Sequence, residues 1–246
     1  MILKPLSDEE LGCTSYIIGD EFTGQCAIID PLHSIGSDRY AIECQRESIT
    51  ISGVFDTHTH ADHLSEALAI SDKFKVPRYL SATSGVSSKF VPVSGGDSVK
   101  IGSVEIKVLD LPGHTRDSIG LICSDTMRGS DPQLVFTGDT LMAGDVGRPD
   151  LADSDEETDD LCRLLFNSLR TLMSLPDFVE VYPAHFGSSH CGSIFLSRKK
   201  WTTIGYERRF NRFIRASTWE SLKKDFLKYR TKPPENAKII IQENMR

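Results

Sequence analysis

Apolar positions in this chain fall into short strand-like runs that close on Gly, Pro or Asp, separated by segments with helical spacing. Tyr16–Ile18 and Ala27–Ile29, joined by the polar Gly-Asp-Glu-Phe-Thr-Gly segment, predict a hairpin ending at Asp30-Pro31. A helix is expected over Arg39–Arg46 and a strand over Ile51–Phe55. Leu64, Ala67, Leu68 and Ile70 then mark one face of a second helix. Short strands follow around Tyr79–Leu80 and Lys89–Val93. Gly102 sits in a hairpin turn before Val104–Leu109, and Ile119–Cys123 and Leu134–Phe136 flank a polar loop. Ser154 with Glu157 reads as a capping box, followed by the apolar stripe Leu161, Leu164, Leu165, Leu169, Leu172 and Met173; the acidic residues Asp155–Glu157 therefore belong to helix entry. A second capping box, Ser217 with Glu220, predicts a helix over 218–229 that Pro233-Pro234 ends.

With 246 residues, 39% of them hydrophobic, and no repeat or linker, one domain spanning 1–246 is expected, large enough to bury a dry pocket. The formal charge of −7 disfavours nucleic acid as a partner, since such binding needs a basic face to displace counterions. No apolar stretch is long enough to span a bilayer, and the start, Met-Ile-Leu-Lys-Pro, lacks the pattern of an export signal, so a cytoplasmic protein without a membrane partner is expected. The six cysteines contain no C-x-x-C pair and read as reduced core residues, except Cys191, which lies in a Ser/Gly-rich loop and is the expected accessible thiol. Nothing in the pattern fixes the oligomeric state, and a homo-oligomer is compatible with it.

Residues 57–63 read Thr-His-Thr-His-Ala-Asp-His, which places His58, His60, Asp62 and His63 within six positions directly after an apolar strand. Imidazole nitrogen and carboxylate oxygen suit zinc, iron, manganese or nickel, and a loop leaving a buried strand can aim several of them at one point. A lone histidine there would read as a polar turn or helix cap; four ligand types together read as a metal site. Three more candidates share the setting of apolar strand, then Gly or Pro turn, then ligand. They are His114 in Leu-Pro-Gly-His-Thr, Asp139 in Phe-Thr-Gly-Asp-Thr and His185 in Tyr-Pro-Ala-His-Phe-Gly.

The seven candidates, in this order and motif context, resemble the metallo-β-lactamase superfamily over most of the chain. That resemblance implies an α/β fold, an αββα sandwich of two mixed β-sheets flanked by helices, with the site where strand-end loops converge. The stretch Thr137–Leu151, with Gly-Asp-Val-Gly-Arg-Pro-Asp at its end, is similar to persulfide dioxygenases, particularly bacterial ones fused to rhodanese domains. Tyr182-Pro-Ala-His185, Ser189-His190-Cys191-Gly192 and Ile204–Asn211 extend the likeness.

This branch implies one Fe(II) held by His58, His114 and Asp139, with His60, Asp62, His63 and His185 as outer groups or a second metal site. It also implies a low-molecular-weight persulfide, such as glutathione persulfide, and O2 as reactants, with sulfite and free thiol as products. A sulfurtransferase partner would be a separate polypeptide, because the sequence has no room for a rhodanese domain before Arg246. Arg148 would bind a substrate carboxylate or form a structural ion pair. Cys191 would relay sulfur or pack in the interior. The competing expectation is a thioester hydrolase of the glyoxalase II type, which uses two Zn(II). Against it, Leu64-Ser-Glu-Ala follows the His cluster where that branch has a Gly-Gly pair. A nucleic-acid-processing relative is disfavoured by the acidic charge.

Overall fold

The computed structural model describes residues 1–151, 154–187 and 189–246. Two six-stranded sheets stack face to face. The first has the order β1 (Ile2–Asp8), β2 (Cys13–Asp20), β3 (Gln25–Ile29), β4 (Thr50–Phe55), β5 (Arg78–Ser81) and β6 (Val91–Val93). It is antiparallel through β3 and parallel from β3 to β6. In the second, β7 (Ser98–Ile101), β8 (Val104–Asp110), β9 (Ile119–Asp125) and β10 (Leu134–Gly138) form an antiparallel meander. β11 (Glu180–Pro183) adds parallel to β10, and β12 (Thr202–Thr203) closes the edge.

Alternation along the strands explains why their runs read as continuously apolar. Tyr16, Ile18, Ala27, Ile29, Leu134 and Phe136 point into the layer between the sheets. Their neighbours Ile17, Cys26 and Ile28 face α1 (Ser37–Arg46) and α2 (Ala67–Phe74), and Val135 faces α3 (Asp155–Leu172) and α5 (Trp219–Tyr229). A strand covered on both faces has no side left for water, so both sets of positions are apolar. Two mixed sheets flanked by helices are the architecture expected from the sequence.

Local differences have physical reasons. β1 escapes the period-2 pattern because it is an edge strand with Pro5 in its middle, a residue tolerated where no ladder bond is needed. α2 begins only at Ala67 and buries Ala67 and Ile70, whereas Leu64 precedes it and Leu68 is exposed, so the expected four-residue face is narrower. The last long helix is capped one residue later than expected. Thr218 accepts from Ser221 N, with the Ser221 side chain completing the box, in place of Ser217 and Glu220. The box at Ser154 forms as read, its side chain accepting from Glu157 N. Two short helices, α4 (Ile204–Phe210) and α6 (Ala237–Asn244), were not anticipated, and α6 lies beyond the Pro pair that was read as ending the 218–229 helix. No helix among the described residues is long and apolar enough to cross a membrane.

Candidate metal centre

All seven candidates lie just beyond the C-terminal ends of strands: β4 delivers His58, His60, Asp62 and His63, β8 His114, β10 Asp139 and β11 His185. The loop after β4 is irregular, so its backbone groups need partners other than a sheet. Buried carboxylates supply them. Asp30 Oδ1 accepts from Thr57 N at 2.7 Å, and Asp117 Oδ2 accepts from Thr59 N and Oγ1 at 3.0 and 2.6 Å. Ser65 Oγ donates to Asp56 Oδ1 at 2.7 Å, and Arg78 Nη2 holds the other Asp56 oxygen at 3.2 Å. These positioning acids were not singled out from the sequence, although Asp30 ends an apolar strand run just as Asp139 does.

His58, His114 and Asp139 converge from both sheets, each buried. His58 Nδ1 lies 3.0 Å from Thr57 Oγ1, which itself donates to Asp30, so the ring donates from Nδ1 and turns the Nε2 lone pair inward. His114 Nδ1 likewise donates to the Arg148 carbonyl oxygen at 3.0 Å. Asp139 Oδ1 is taken by His185 Nδ1 at 2.5 Å. What these three residues leave is His58 Nε2, His114 Nε2 and Asp139 Oδ2, buried atoms without a hydrogen-bond partner among the described residues; His63 Nε2 and both ring nitrogens of His60 are likewise buried and unpartnered. Asp139 Oδ2 is 3.3 Å from His114 Nε2 and 3.7 Å from His58 Nε2. Ligands bound at about 2.0–2.2 Å from one ion stand about 3.0–3.5 Å apart, so the His114–Asp139 pair has metal-site spacing and His58 lies slightly outside it.

Unpaired buried polar atoms cost about 1–3 kcal/mol each, and a cation is the group that would relieve all three at once. Protonation chemistry agrees. Burial, reinforced for His58 by the neighbouring His60, pushes His58 well below the ordinary imidazole value, and burial lowers His114 too, which keeps both lone pairs free. Burial alone would raise Asp139, but the charge and hydrogen bond of His185 outweigh it and hold the carboxyl ionised.

Close approach of the loops depends on two glycines. Gly138 has φ +50, and a Cβ there would overlap Thr57 Oγ1; a Cβ at Gly147 would overlap the Asp139 carbonyl oxygen and press on the His114 ring.

The other four ligand-type residues behave differently. Asp62 accepts from His185 Nε2 at 2.7 Å and from His63 Nδ1 at 3.0 Å, so Asp139, His185, Asp62 and His63 form one hydrogen-bonded chain. Against the penalty of burial, Asp62 lifts His63 to about 10, and Asp139 with Asp62 lifts His185 well above the imidazole norm. Cys13, not singled out from the sequence, lies beside this group with Sγ 3.5 Å from Asp62 Oδ2. His60 turns away from the trio toward Asp30 and Asp56, its Nε2 3.3 Å from Asp30 Oδ1.

Two expectations are corrected. The Arg148 guanidinium is buried and used up within the protein: Nε and Nη2 bind Asp150 at 2.9 and 3.1 Å, and Nη1 donates to the His190 carbonyl at 3.0 Å. It forms the structural ion pair, the second of its two sequence readings, with its donors engaged inside the protein. Cys191 is only 1% exposed, and burial pushes its thiol well up, so it is neither an accessible nor an ionised thiol. It packs beside Asp139 and His185 as part of the wall of the site. All six cysteines are free and buried.

Comparison with known proteins agrees with this architecture. A family model described as the metallo-beta-lactamase superfamily matches residues 8–185. An uncharacterized protein of Aquifex aeolicus is 29% identical over 232 residues, covering 87% of this chain and 97% of its own. A hydroxyacylglutathione hydrolase of Synechococcus is 29% identical over 175 residues, covering 69% of this chain and 63% of its own. Among solved structures, ETHE1 from Myxococcus xanthus superposes with a TM-score of 0.84 at 30% identity, over 100% of this chain and 98% of that one. A metallo-beta-lactamase from Staphylococcus aureus gives a TM-score of 0.91 at 27% identity, over 99% and 72%. With the family pattern spanning every ligand-bearing loop, the chain belongs to the metallo-beta-lactamase superfamily of metal-dependent enzymes.

Proposed function

We propose that this protein is a mononuclear non-haem iron persulfide dioxygenase, which uses O2 to oxidise a low-molecular-weight persulfide such as glutathione persulfide to sulfite and free thiol. The observation that carries this reading is the division of the ligand set. Two imidazoles and one carboxylate present unpartnered atoms that converge on one point, whereas in the second group Asp62 and His185 are hydrogen-bonded to each other and His63 keeps only Nε2 bare. A two-histidine, one-carboxylate face suits Fe(II) with vacant positions. Bound there, iron would supply the change of redox state that brings O2 and a sulfur substrate into reaction. The motif likeness from Thr137 to Leu151 and the near full-length match to ETHE1 support the same branch.

The chain's own contributions follow from its geometry. Thr57 and the Arg148 carbonyl set the tautomers of His58 and His114. His185 keeps a proton at Nδ1 on Asp139 Oδ1, which leaves Oδ2 as the single free oxygen. The burial of all three ligands limits water at the centre and strengthens each electrostatic contact there.

Metal analysis of anaerobically purified protein, combined with oxygen uptake on adding glutathione persulfide, tests the reading. Iron near one per chain and stoichiometric oxygen consumption are expected. Tight zinc with thioester hydrolysis, and no oxygen uptake in the iron-loaded form, would instead establish a hydrolase of two zinc ions. The hydroxyacylglutathione hydrolase relative and the proximity of Asp62, His63 and His185 favour that second reading.

A further inference from the structure

We propose that Asn244, at the end of α6, is a positioning residue of the metal centre: its side-chain amide fixes the backbone of the loop that carries His58, His60, Asp62 and His63. Asn244 Nδ2 donates to the carbonyl oxygens of His60 and His63, both at 2.9 Å, and Oδ1 accepts from Ser65 N at 3.0 Å. Three of the amide's four hydrogen-bonding capacities are thus used on one six-residue stretch. Those three groups have no sheet partner; elsewhere in the stretch Ser65 Oγ donates to Asp56 and the Leu64 carbonyl accepts from His33 N at 3.0 Å, while Asp30 and Asp117 hold Thr57 and Thr59 just before it. Asn244 is the tie from the C-terminal side.

Packing does not account for the placement of α6. None of its residues is buried, and Ile239 is 59% exposed. Polar contacts at its last turn hold it: Asn244, and the Met245 carbonyl, which accepts from Ser87 N at 2.8 Å. The segment leading into α6 is fastened at the opposite side of the centre. Arg230 Nη1 reaches Asp150 Oδ2 at 2.8 Å, Thr231 Oγ1 donates to Gly192 at 3.0 Å, and Arg148 Nη2 reaches the Thr231 carbonyl at 3.4 Å. Residues 230–246 therefore form a strap between the loop whose Arg148 carbonyl orients His114 and the loop bearing His58. With Arg148, Asp150 and Leu151, the strap borders an open pocket of about 720 Å³ that Arg230, Lys238, Ile239 and Ile241 line.

The inference rests on the proposed metal centre and not on persulfide as the substrate, so its test uses metal alone. In the full chain, Asn244→Leu removes the hydrogen bonds at similar volume. Asn244→Asp keeps the shape and the acceptor for Ser65 N but points a carboxylate oxygen at two carbonyl oxygens. Anaerobic titration with ferrous ion, and separately with zinc, should show both variants binding both ions about 10- to 100-fold more weakly. Amide exchange at 58–65 in the metal-free protein should accelerate, while exchange across β9 stays as in the parent. An Asp variant with parental affinity would mean that Asn244 acts only by shape, and equal loss of protection in β9 would mean general unfolding; either result overturns the proposal. Should the iron and persulfide reading fail because zinc is the resident ion, the zinc titration still reports on Asn244.

Discussion

The two halves of the ligand cluster are built from the same residue types and end in different states. His58, His114 and Asp139 each use one polar atom on the scaffold and leave the other bare. Asp62 accepts from His63 and His185 at 3.0 and 2.7 Å, hydrogen bonds that occupy both of its oxygens and, with the His185–Asp139 bond, both nitrogens of His185, and leave His63 Nε2 as the bare atom of this half. Residue identity makes a metal ligand possible; the partner on its second atom decides whether it is available. The bare half is what a cation completes, and the paired half orients it through the His185–Asp139 bond.

The most damaging way to break this contrast is to remove the shared carboxylate. Asp139→Ala should abolish iron retention and turnover, losing more affinity than the roughly 100-fold that loss of an outer partner produces. Metal content after desalting, followed by activity, measures this. Asp62→Asn alters only the paired half and should weaken iron binding about 10- to 100-fold while leaving the stoichiometry unchanged. A loss as complete as that of Asp139→Ala would make Asp62 a ligand and erase the distinction. Thr57→Val, which frees His58 Nδ1 and strips a donor from Asp30, should lower affinity about tenfold.

How much of this was legible in the sequence depends on what kind of information each feature needs. The strands and the ligand loops announce themselves because a strand covered on both sides is apolar throughout and the polar run that follows it is conspicuous. Which ligands face one another is a long-range property: His58 and Asp139 come from different sheets, and motif likeness alone suggested their grouping. Asp30, Asp56 and Asp117 look like ordinary loop acids until their backbone partners are seen. Cys191 misled because a Ser/Gly-rich neighbourhood suggests exposure, whereas the loop folds inward, with Cys191 N donating to Ser189 Oγ and the Cys191 carbonyl accepting from Arg148 N. α6 was missed because it has no core-facing stripe to read.

A smaller effect distinguishes the halves by pH. In the metal-free protein burial opposes protonation of His63, but the charge and hydrogen bond of Asp62 raise the ring to about 10. Because the folded value lies above the unfolded one, this contribution to stability is complete below pH ~6.5 and is lost as pH climbs toward 10. The thermal midpoint of the metal-free chain should therefore fall across that window, and Asp62→Asn should flatten the fall. A midpoint independent of pH between 7 and 10 would show that His63 is not held in its charged form.

The central claim is that the bare trio holds a single ion while the paired half holds none. Anaerobic titration of the metal-free chain with ferrous ion, followed to saturation, tests it most directly. Binding should saturate at one ion per chain and disappear in Asp139→Ala; two ions per chain, with the second lost in Asp62→Asn, would contradict the account.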